Sequence, residues 1–226
     1  MKGIQSKVSR LFPWQWSTTH ILVAAFTFFS VSLLALRVVA THSVMYLFLL
    51  WNLVLACIPW LITSWAEWHS EKMPRFGWAA LMILWILFFP NSPYILTDLF
   101  HLHKPGDMPL WYDLILILSF ATTALVFGMW SLNSIESALR KKYRSWQVQA
   151  FIVCMLFASG FGVYLGRYLR FNSWDVFATP DSLLDEIVHR FTTPSAHPRT
   201  WGMTLVFGVF LNLIYALSKR FRLGAP

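Results

Sequence analysis

The sequence predicts an all-α integral membrane protein, a bundle of six transmembrane helices, and three observations lead to this fold class. Apolar residues make up 57% of the 226 residues and charged residues only 12%, whereas soluble domains carry about 25% charged residues. The apolar residues are grouped in stretches of about 20, the length that crosses a bilayer as a helix. Thirteen Trp and twenty Phe suit a chain with two membrane interfaces, where aromatic rings concentrate.

Six apolar stretches define the predicted spans, and we expect them to form a single membrane domain of residues 1–226. They must be helical, because lipid offers no partners to unpaired backbone groups and the stretches lack the two-residue alternation of barrel strands. The predicted spans are 21–40, 44–66, 77–96, 114–135, 148–169 and 201–217.

A short amphipathic helix is predicted at 181–191, in the outer loop before the last span. Leu183, Leu184, Ile187 and Val188 recur at the spacing of one helical face. This helix either lies on the outer leaflet or caps the bundle, and the pattern fits both arrangements equally.

The distribution of Lys and Arg predicts the orientation, because cytoplasmic loops carry an excess of these residues. Six of the eighteen fall on the side of the third and fifth loops, and twelve fall on the side of both termini, which we therefore predict to be cytoplasmic. The net charge of +8 does not indicate a nucleic-acid partner, since basic residues flank the spans instead of forming one stripe. The twelve are Lys2, Lys7, Arg10, Lys72, Arg75, Arg140, Lys141, Lys142, Arg144, Lys219, Arg220 and Arg222.

The third predicted span ends in an unusual segment that contains Pro90 and Pro93. Prolines remove backbone donors and leave carbonyls without partners, and Ser92 is positioned to cap a helix that restarts at Pro93. A break at membrane depth is tolerated where protein or a water-filled cavity satisfies it. The segment therefore predicts a polar pocket open to the outside, although a simple kink also accounts for it.

On the restarted helix, Tyr94, Asp98 and His101 share one face at spacings of four and three. Asp98 is the candidate general base or metal ligand and His101 its proton partner, which makes these two the candidate catalytic residues. Asn91 and Tyr94 are candidate ligand-binding residues beside them.

The fifth predicted span ends in a second group of candidates. Ala158, Gly162 and Gly166 form a stripe of small residues that lets another helix approach closely. Arg167 and Arg170 follow one turn apart, as a fork for a phosphate or carboxylate. Internal pairing of these arginines with acidic residues is the alternative. The further candidate ligand-binding or pairing residues are Asp113, Asn172 and Asp175.

Metal binding has weak support. Asp98, His101 and His103, together with His42, His189 and His197, map to the predicted outer side, but the spacing Asp-x-x-His-x-His matches no common ligand pattern. The sequence also contains no Gly-rich phosphate loop, no nucleophile elbow and no His-Glu-x-x-His. We predict no metal site and no cofactor.

Several of these motifs together resemble a known family. They are Trp51-Asn52-Leu53 with Pro59, Pro90-Asn91-Ser92-Pro93-Tyr94 through Thr97-Asp98 and His101, Trp111-Tyr112-Asp113, and Gly162-x-Tyr164-x-Gly166-Arg167 through Arg170 and Asn172-Ser173-Trp174-Asp175. The set is similar to the bacterial multi-pass family called domain of unknown function 1361. The resemblance implies a bacterial plasma-membrane protein and brings no activity with it.

Three functions compete at this point. The first is binding or processing of an anionic envelope or lipid-linked molecule at the outer face, with Arg167 and Arg170 holding the anion, whether a small molecule or a lipid headgroup. The second is a small transporter or channel, suggested by the broken third span, and it requires a homo-oligomer because six helices form a narrow pathway. The third is a non-catalytic assembly or sensor protein whose polar cluster is structural. The residues do not decide whether the chain is an enzyme.

Overall fold

The structure is a computed structural model that describes residues 18–69, 73–102 and 108–223. All the regular elements in these ranges are helical. The helices long and apolar enough to span a membrane number six in the described chain, which makes it a multi-pass membrane protein. The elements are α1 (Thr18–Thr41), α2 (Phe48–Trp68), α3 (Arg75–Phe88), α4 (Asn91–Tyr94), a 3₁₀ helix (Ile95–His101), α5 (Leu110–Arg140), α6 (Ser145–Tyr168), α7 (Asp175–Ala178), α8 (Pro180–Thr192), a 3₁₀ turn (Pro194–Ala196) and α9 (Pro198–Leu223).

The predicted all-α bundle with six candidate spans is confirmed, with changes at the boundaries. The third span is composite, since α3, α4 and the 3₁₀ helix together run over Arg75–His101. The second span begins at Phe48, and not at position 44, because the chain makes a turn before it. A helix is present at Pro180–Thr192, whereas its place on the outer leaflet and the cytoplasmic location of the termini stay predictions.

Helix α5 is the centre of the bundle and supplies both hydrophobic clusters. Phe120 belongs to the cluster shared with α1, α2 and the 3₁₀ helix, and Leu132 belongs to the cluster shared with α3, α6 and α9. A larger share of α5 is buried than of any other described span, although Ile115 and Val126 are 43% and 37% exposed. The other spans expose more apolar side chains outward, such as Phe28 at 75% and Val206 at 69% exposure, as lipid-facing helices do.

Helices α6 and α9 pack with their backbones close together, and Gly160 of α6 makes this possible. A Cβ added at Gly160 would lie 2.9 Å from the carbonyl oxygen of Thr204 and 3.2 Å from Phe207 Cβ. Small residues allow this approach in membrane helices, where packing contacts drive association.

We expect Gly160→Ala to lower the free energy of unfolding by about 1–3 kcal/mol, the usual cost of overpacking. The carbonyl of Thr204 belongs to a helix and cannot move aside as a flexible side chain would. Gly202→Ala in α9 is the matched control, because a Cβ there meets nothing within 4 Å and alanine has the higher helix propensity. Thermal unfolding in detergent measures both, and equal melting temperatures would contradict the close packing.

Candidate functional site

The six spans alternate in direction, so that one end of the bundle gathers the end of α1, the start of α2, the 3₁₀ helix, the start of α5, the end of α6 and the start of α9. We call this the site end. Cross-span contacts such as Tyr46 Oη to the His101 carbonyl (3.1 Å) and Arg37 Nε to Asp113 Oδ1 (2.7 Å) lie there. The sequence-predicted polar residues of the third and fifth spans both reach this end.

The break in the third span leaves two backbone carbonyls that side chains satisfy. The carbonyl of Phe88 accepts a hydrogen bond from Asn91 Nδ2 (2.9 Å), and the carbonyl of Leu87 accepts one from Ser173 Oγ (3.0 Å). Asn91 Nδ2 also lies 2.9 Å from Ser173 Oγ. Asn91 therefore joins the broken span to the segment that follows α6. Buried backbone carbonyls need hydrogen-bond partners, and the side chains of Asn91 and Ser173 supply them here.

The prediction that Ser92 caps a helix restarting at Pro93 is wrong, because the short α4 begins at Asn91 without a side-chain cap. Ser92 Oγ donates to the carbonyl of Ala56 in α2 (3.0 Å), and the chain continues as the short α4 and then as a 3₁₀ helix. A 3₁₀ helix has three residues per turn, so that residues three apart lie directly above each other. This geometry places Asp98 and His101 on one edge, with Tyr94 packed instead against Gly166.

The buried Asp98 lies at the centre of a cluster with the partly buried Asn52, Arg167 and His101. Asn52 Nδ2 donates to Asp98 Oδ2 (2.8 Å), and Arg167 Nη1 lies 3.5 Å from Asp98 Oδ1. The Asp98 side chain is 1% exposed, and Oδ1 accepts no hydrogen bond among the described residues. A buried carboxylate is costly unless a cation compensates it, and Arg167 supplies that charge.

His101 lies beside the same arginine and close to the carboxyl group. Arg167 Nη2 lies 3.2 Å from His101 Nδ1 and 3.5 Å from Nε2, and Nδ1 lies 3.9 Å from Asp98 Oδ1. Arg167 therefore contacts both candidate catalytic residues.

Asp113, which the sequence placed among the ligand-binding candidates, pairs with Arg37. Arg37 Nε and Nη2 donate to its two oxygens at 2.7 and 3.1 Å, a bidentate arrangement, and the two side chains are 7% and 12% exposed. The pairing of Asp113 with Arg167 or Arg170 is therefore wrong. Arg37 is one of the six basic residues that the sequence places on the outer side, and its position in an apolar span is the signal for a buried partner.

Tyr46 connects this ion pair to the Asp98 cluster. Its ring lies 4.3 Å from Arg37 Cζ, and its hydroxyl donates to the carbonyl of His101 (3.1 Å). Burial, and then the negative charge of Asp113, raise the pKa of Tyr46, so that the phenol stays a neutral donor. The polar groups thus form one layer across the site end.

The segment after α6 brings the remaining candidates to the surface. Arg170 is exposed and has a left-handed backbone with φ of 64°, which turns the chain so that the Phe171 amide reaches the carbonyl of Leu165 (3.2 Å). Asp175 Oδ2 accepts a hydrogen bond from the backbone N–H of Asn172 (2.6 Å), which closes this turn. Arg167 and Arg170 therefore do not form the expected fork, because Arg167 is directed at Asp98.

A cavity of about 350 Å³ lies beside this layer, between α2, α3, α4 and α6, with α8 over it. Its wall is mostly apolar, and its polar side chains include Asn52, Asn91, Asn172 and Ser173. Several lining residues are open to the surroundings, such as Trp51 at 56% and Ile86 at 40% exposure. The cavity therefore opens sideways at the flank of the bundle. It is lined by Trp51, Asn52, Leu55, Ile86, Leu87, Pro90, Asn91, Tyr94, Met155, Ala158, Ser159, Phe161, Gly162, Leu165, Gly166, Phe171, Asn172, Ser173, Val176, Leu183 and Ile187.

A second charged cluster, which the sequence reasoning missed, lies at the opposite end of the bundle. Glu136 of α5 is 4% exposed and accepts hydrogen bonds from Tyr215 and Lys219 of α9 and from Arg140. Glu136, which directly follows the predicted span 114–135, has no role among the sequence-based predictions. The four-residue spacing to Arg140 was the available signal.

The histidines do not assemble a metal site in the described ranges. His189 Nδ1 and His197 Nε2 lie 2.9 Å apart, but no three His, Cys, Asp or Glu side chains of the described chain converge. His103, the third residue of the Asp-x-x-His-x-His spacing, lies outside the described residues, as do Lys2, Lys7, Arg10, Lys72 and Lys104.

Fold and site together define a multi-pass membrane protein with a polar layer and a side-opening cavity at one end of the bundle. The family described as "Protein of unknown function (DUF1361)" matches residues 51–214. The chain belongs to this family, as its motifs indicated. No curated protein and no solved structure matches the chain.

Proposed function

We propose that this protein binds or processes an anionic lipid-linked or envelope molecule, with the site end on the outer face of a bacterial plasma membrane. The cavity carries this proposal. Its volume of about 350 Å³ lies within the range of small-molecule sites, about 300–1,000 Å³, which combine apolar walls with a few polar groups.

The depth of the cavity supports a lipid chain as its occupant. Along α6 it extends from Gly166 near the site end to Met155, which at about 1.5 Å per residue is a depth of about 16 Å. The hydrocarbon core of a bilayer is about 30 Å thick, so that the cavity is one leaflet deep. Its open flank lets a chain enter from the leaflet.

The polar groups are suited to a headgroup at the mouth of the cavity. Asn172 and Ser173 line it at the site end, and the exposed Arg170 lies two residues before Asn172. Since Arg167 is compensated by Asp98, an anion would be attracted chiefly by Arg170. A phosphate or carboxylate on the headgroup is the matching chemistry.

Transport has less support. The described ionic side chains buried in the spans lie near the ends of the bundle, and hydroxyls farther inside donate to backbone carbonyls, such as Ser131 to Gly128 (2.8 Å) and Thr123 to Ser119 (2.8 Å).

We expect Ala158→Phe to reduce lipid retention at least fivefold. Ala158 is an exposed residue of the cavity wall, and the larger side chain would fill the space proposed for the lipid chain. Ala150→Phe is the matched control, since Ala150 is exposed on the same helix and does not line the cavity. Native mass spectrometry of the detergent-purified protein with added phosphatidylglycerol or phosphatidylcholine of equal acyl chains measures retention. Equal retention by the two variants would refute the cavity as the lipid site.

We expect Arg170→Gly to remove the preference for phosphatidylglycerol over phosphatidylcholine while total retention persists. Glycine adopts the left-handed backbone of position 170 without strain, so that the change removes the cation and leaves the turn intact. An unchanged preference would contradict the role of Arg170 and leave the chain site standing.

A further inference from the structure

Asn52 lies where the polar layer meets the cavity. It is the fifth residue of α2, near the site end, and it lines the cavity between Trp51 and Leu55. Its amide is half-buried, and it joins the buried Asp98 to the cavity wall through the 2.8 Å bond from Nδ2 to Oδ2. In the proposed lipid site, this position would lie at the junction between the headgroup and the chain.

Asp98 and Asn52 are joined by the bond from Asn52 Nδ2 to Asp98 Oδ2 (2.8 Å), while the guanidinium of Arg167 lies 3.5 Å from the other carboxyl oxygen, Oδ1. With Nδ2 directed at the carboxyl group, the Asn52 oxygen points away from it.

The Asn52 oxygen is left without a hydrogen bond within the described chain, although the side chain lines the cavity. The neighbouring polar residue Ser159 is fully buried, and its hydroxyl donates to the carbonyl of Met155 (2.8 Å). Asn91 Nδ2 is engaged by Phe88 and Ser173, so that neither of these two groups offers a donor to a ligand.

We propose that Asn52 is a specificity-determining residue that accepts a hydrogen bond from a hydroxyl or amide N–H of the lipid, at the junction of headgroup and chain. The inference rests on the proposed function and narrows its ligand class to lipids with such a donor. A site that presents a fixed acceptor discriminates against an analogue that lacks the donor, because the acceptor is then left unpaired.

The test compares two probes with the same chain, 1-O-dodecylglycerol and its dimethyl ether, by competition against phosphatidylglycerol on the detergent-purified full-length protein. We expect the wild type to bind the diol roughly fivefold more tightly than the ether, the value of about one neutral hydrogen bond. Asn52→Leu should reduce this ratio to about one while it retains binding of the ether, which reports an intact cavity.

Asn133→Leu is the control, since Asn133 makes its bond within α5 to the carbonyl of Met129 (2.8 Å) and should keep the wild-type ratio. A ratio near one in the wild type, or an unchanged ratio in Asn52→Leu, overturns the role of Asn52 and leaves the lipid site intact. Failure of the wild type to bind either probe, together with no effect of Ala158→Phe on phosphatidylglycerol, overturns the lipid site itself.

Discussion

Asp113→Ala is expected to destabilise the protein by about 3–5 kcal/mol, the usual cost of leaving one partner of a buried ion pair uncompensated. Asp113 accepts two hydrogen bonds from Arg37 at 2.7 and 3.1 Å, and the Arg37 side chain is only 7% exposed. Without the carboxylate, the guanidinium would remain between α1 and α5 beside Tyr46. Chemical or thermal unfolding in detergent micelles measures the loss.

The double variant Arg37→Leu with Asp113→Leu is expected to recover most of that loss. Apolar residues of similar size often replace a buried ion pair without net cost, so that the single substitution should be worse than the double one. Asp185→Ala is the control, because Asp185 is exposed on α8 and surface substitutions usually remain within about 0.5 kcal/mol. A single Asp113→Ala variant as stable as the wild type would contradict the pair.

The pattern of residues in the sequence predicts the spans and the break in the third one. Both depend on features read along the chain: an apolar length that matches the bilayer, and prolines that remove backbone donors. The 3₁₀ helix at Ile95–His101 does not follow from them, since residues three and four apart fit an α-helical face as well.

The partners of charged side chains are harder to predict, because they depend on the rotation and packing of helices far apart in sequence. Asp113 lies 76 positions from Arg37, and Glu136 lies 83 positions from Lys219. The distribution of charges along the sequence predicts which residues lie on the same side of the membrane, but it does not predict which of them pair. The contact of Arg167 with Asp98 fits the alternative in which this arginine is neutralised by internal pairing. Arg170 is exposed, and its left-handed backbone turns the chain at this position.

The broken third span predicts a polar pocket at this place, but the mostly apolar wall of the cavity does not follow from the sequence, because apolar residues such as Leu55 and Ile86 have the pattern of lipid-facing positions. Ala158 appeared as part of a packing stripe, yet it is exposed, whereas Gly162 and Gly166 contact Pro90 and Tyr94. The bend at Pro90 brings α4 against α6 and leaves space beside it. The space therefore results from the same break that freed the backbone carbonyls.

Arg167→Ala is expected to be the second most destabilising substitution, at about 3 kcal/mol, since it leaves the carboxylate of Asp98, 1% exposed, without its cation. Arg167→Lys should recover only part of the loss. The two terminal nitrogens of Arg167 serve different partners, Nη1 toward Asp98 and Nη2 toward His101 at 3.2 Å. A single ammonium on a flexible stem does not reproduce this fork.

Adding Asp98→Asn to Arg167→Ala separates the two roles open to this arginine. If Arg167 chiefly compensates Asp98, removing the buried charge restores most of the melting temperature. Arg199→Ala is the control, since Arg199 is exposed and contacts the Tyr168 ring only at 5.6 Å, an interaction of about 0.5–1 kcal/mol. An Arg167→Ala variant that melts like the wild type but retains less phosphatidylglycerol would instead make Arg167 a direct ligand of the anion, and Asp98 would then be satisfied by Asn52 without it.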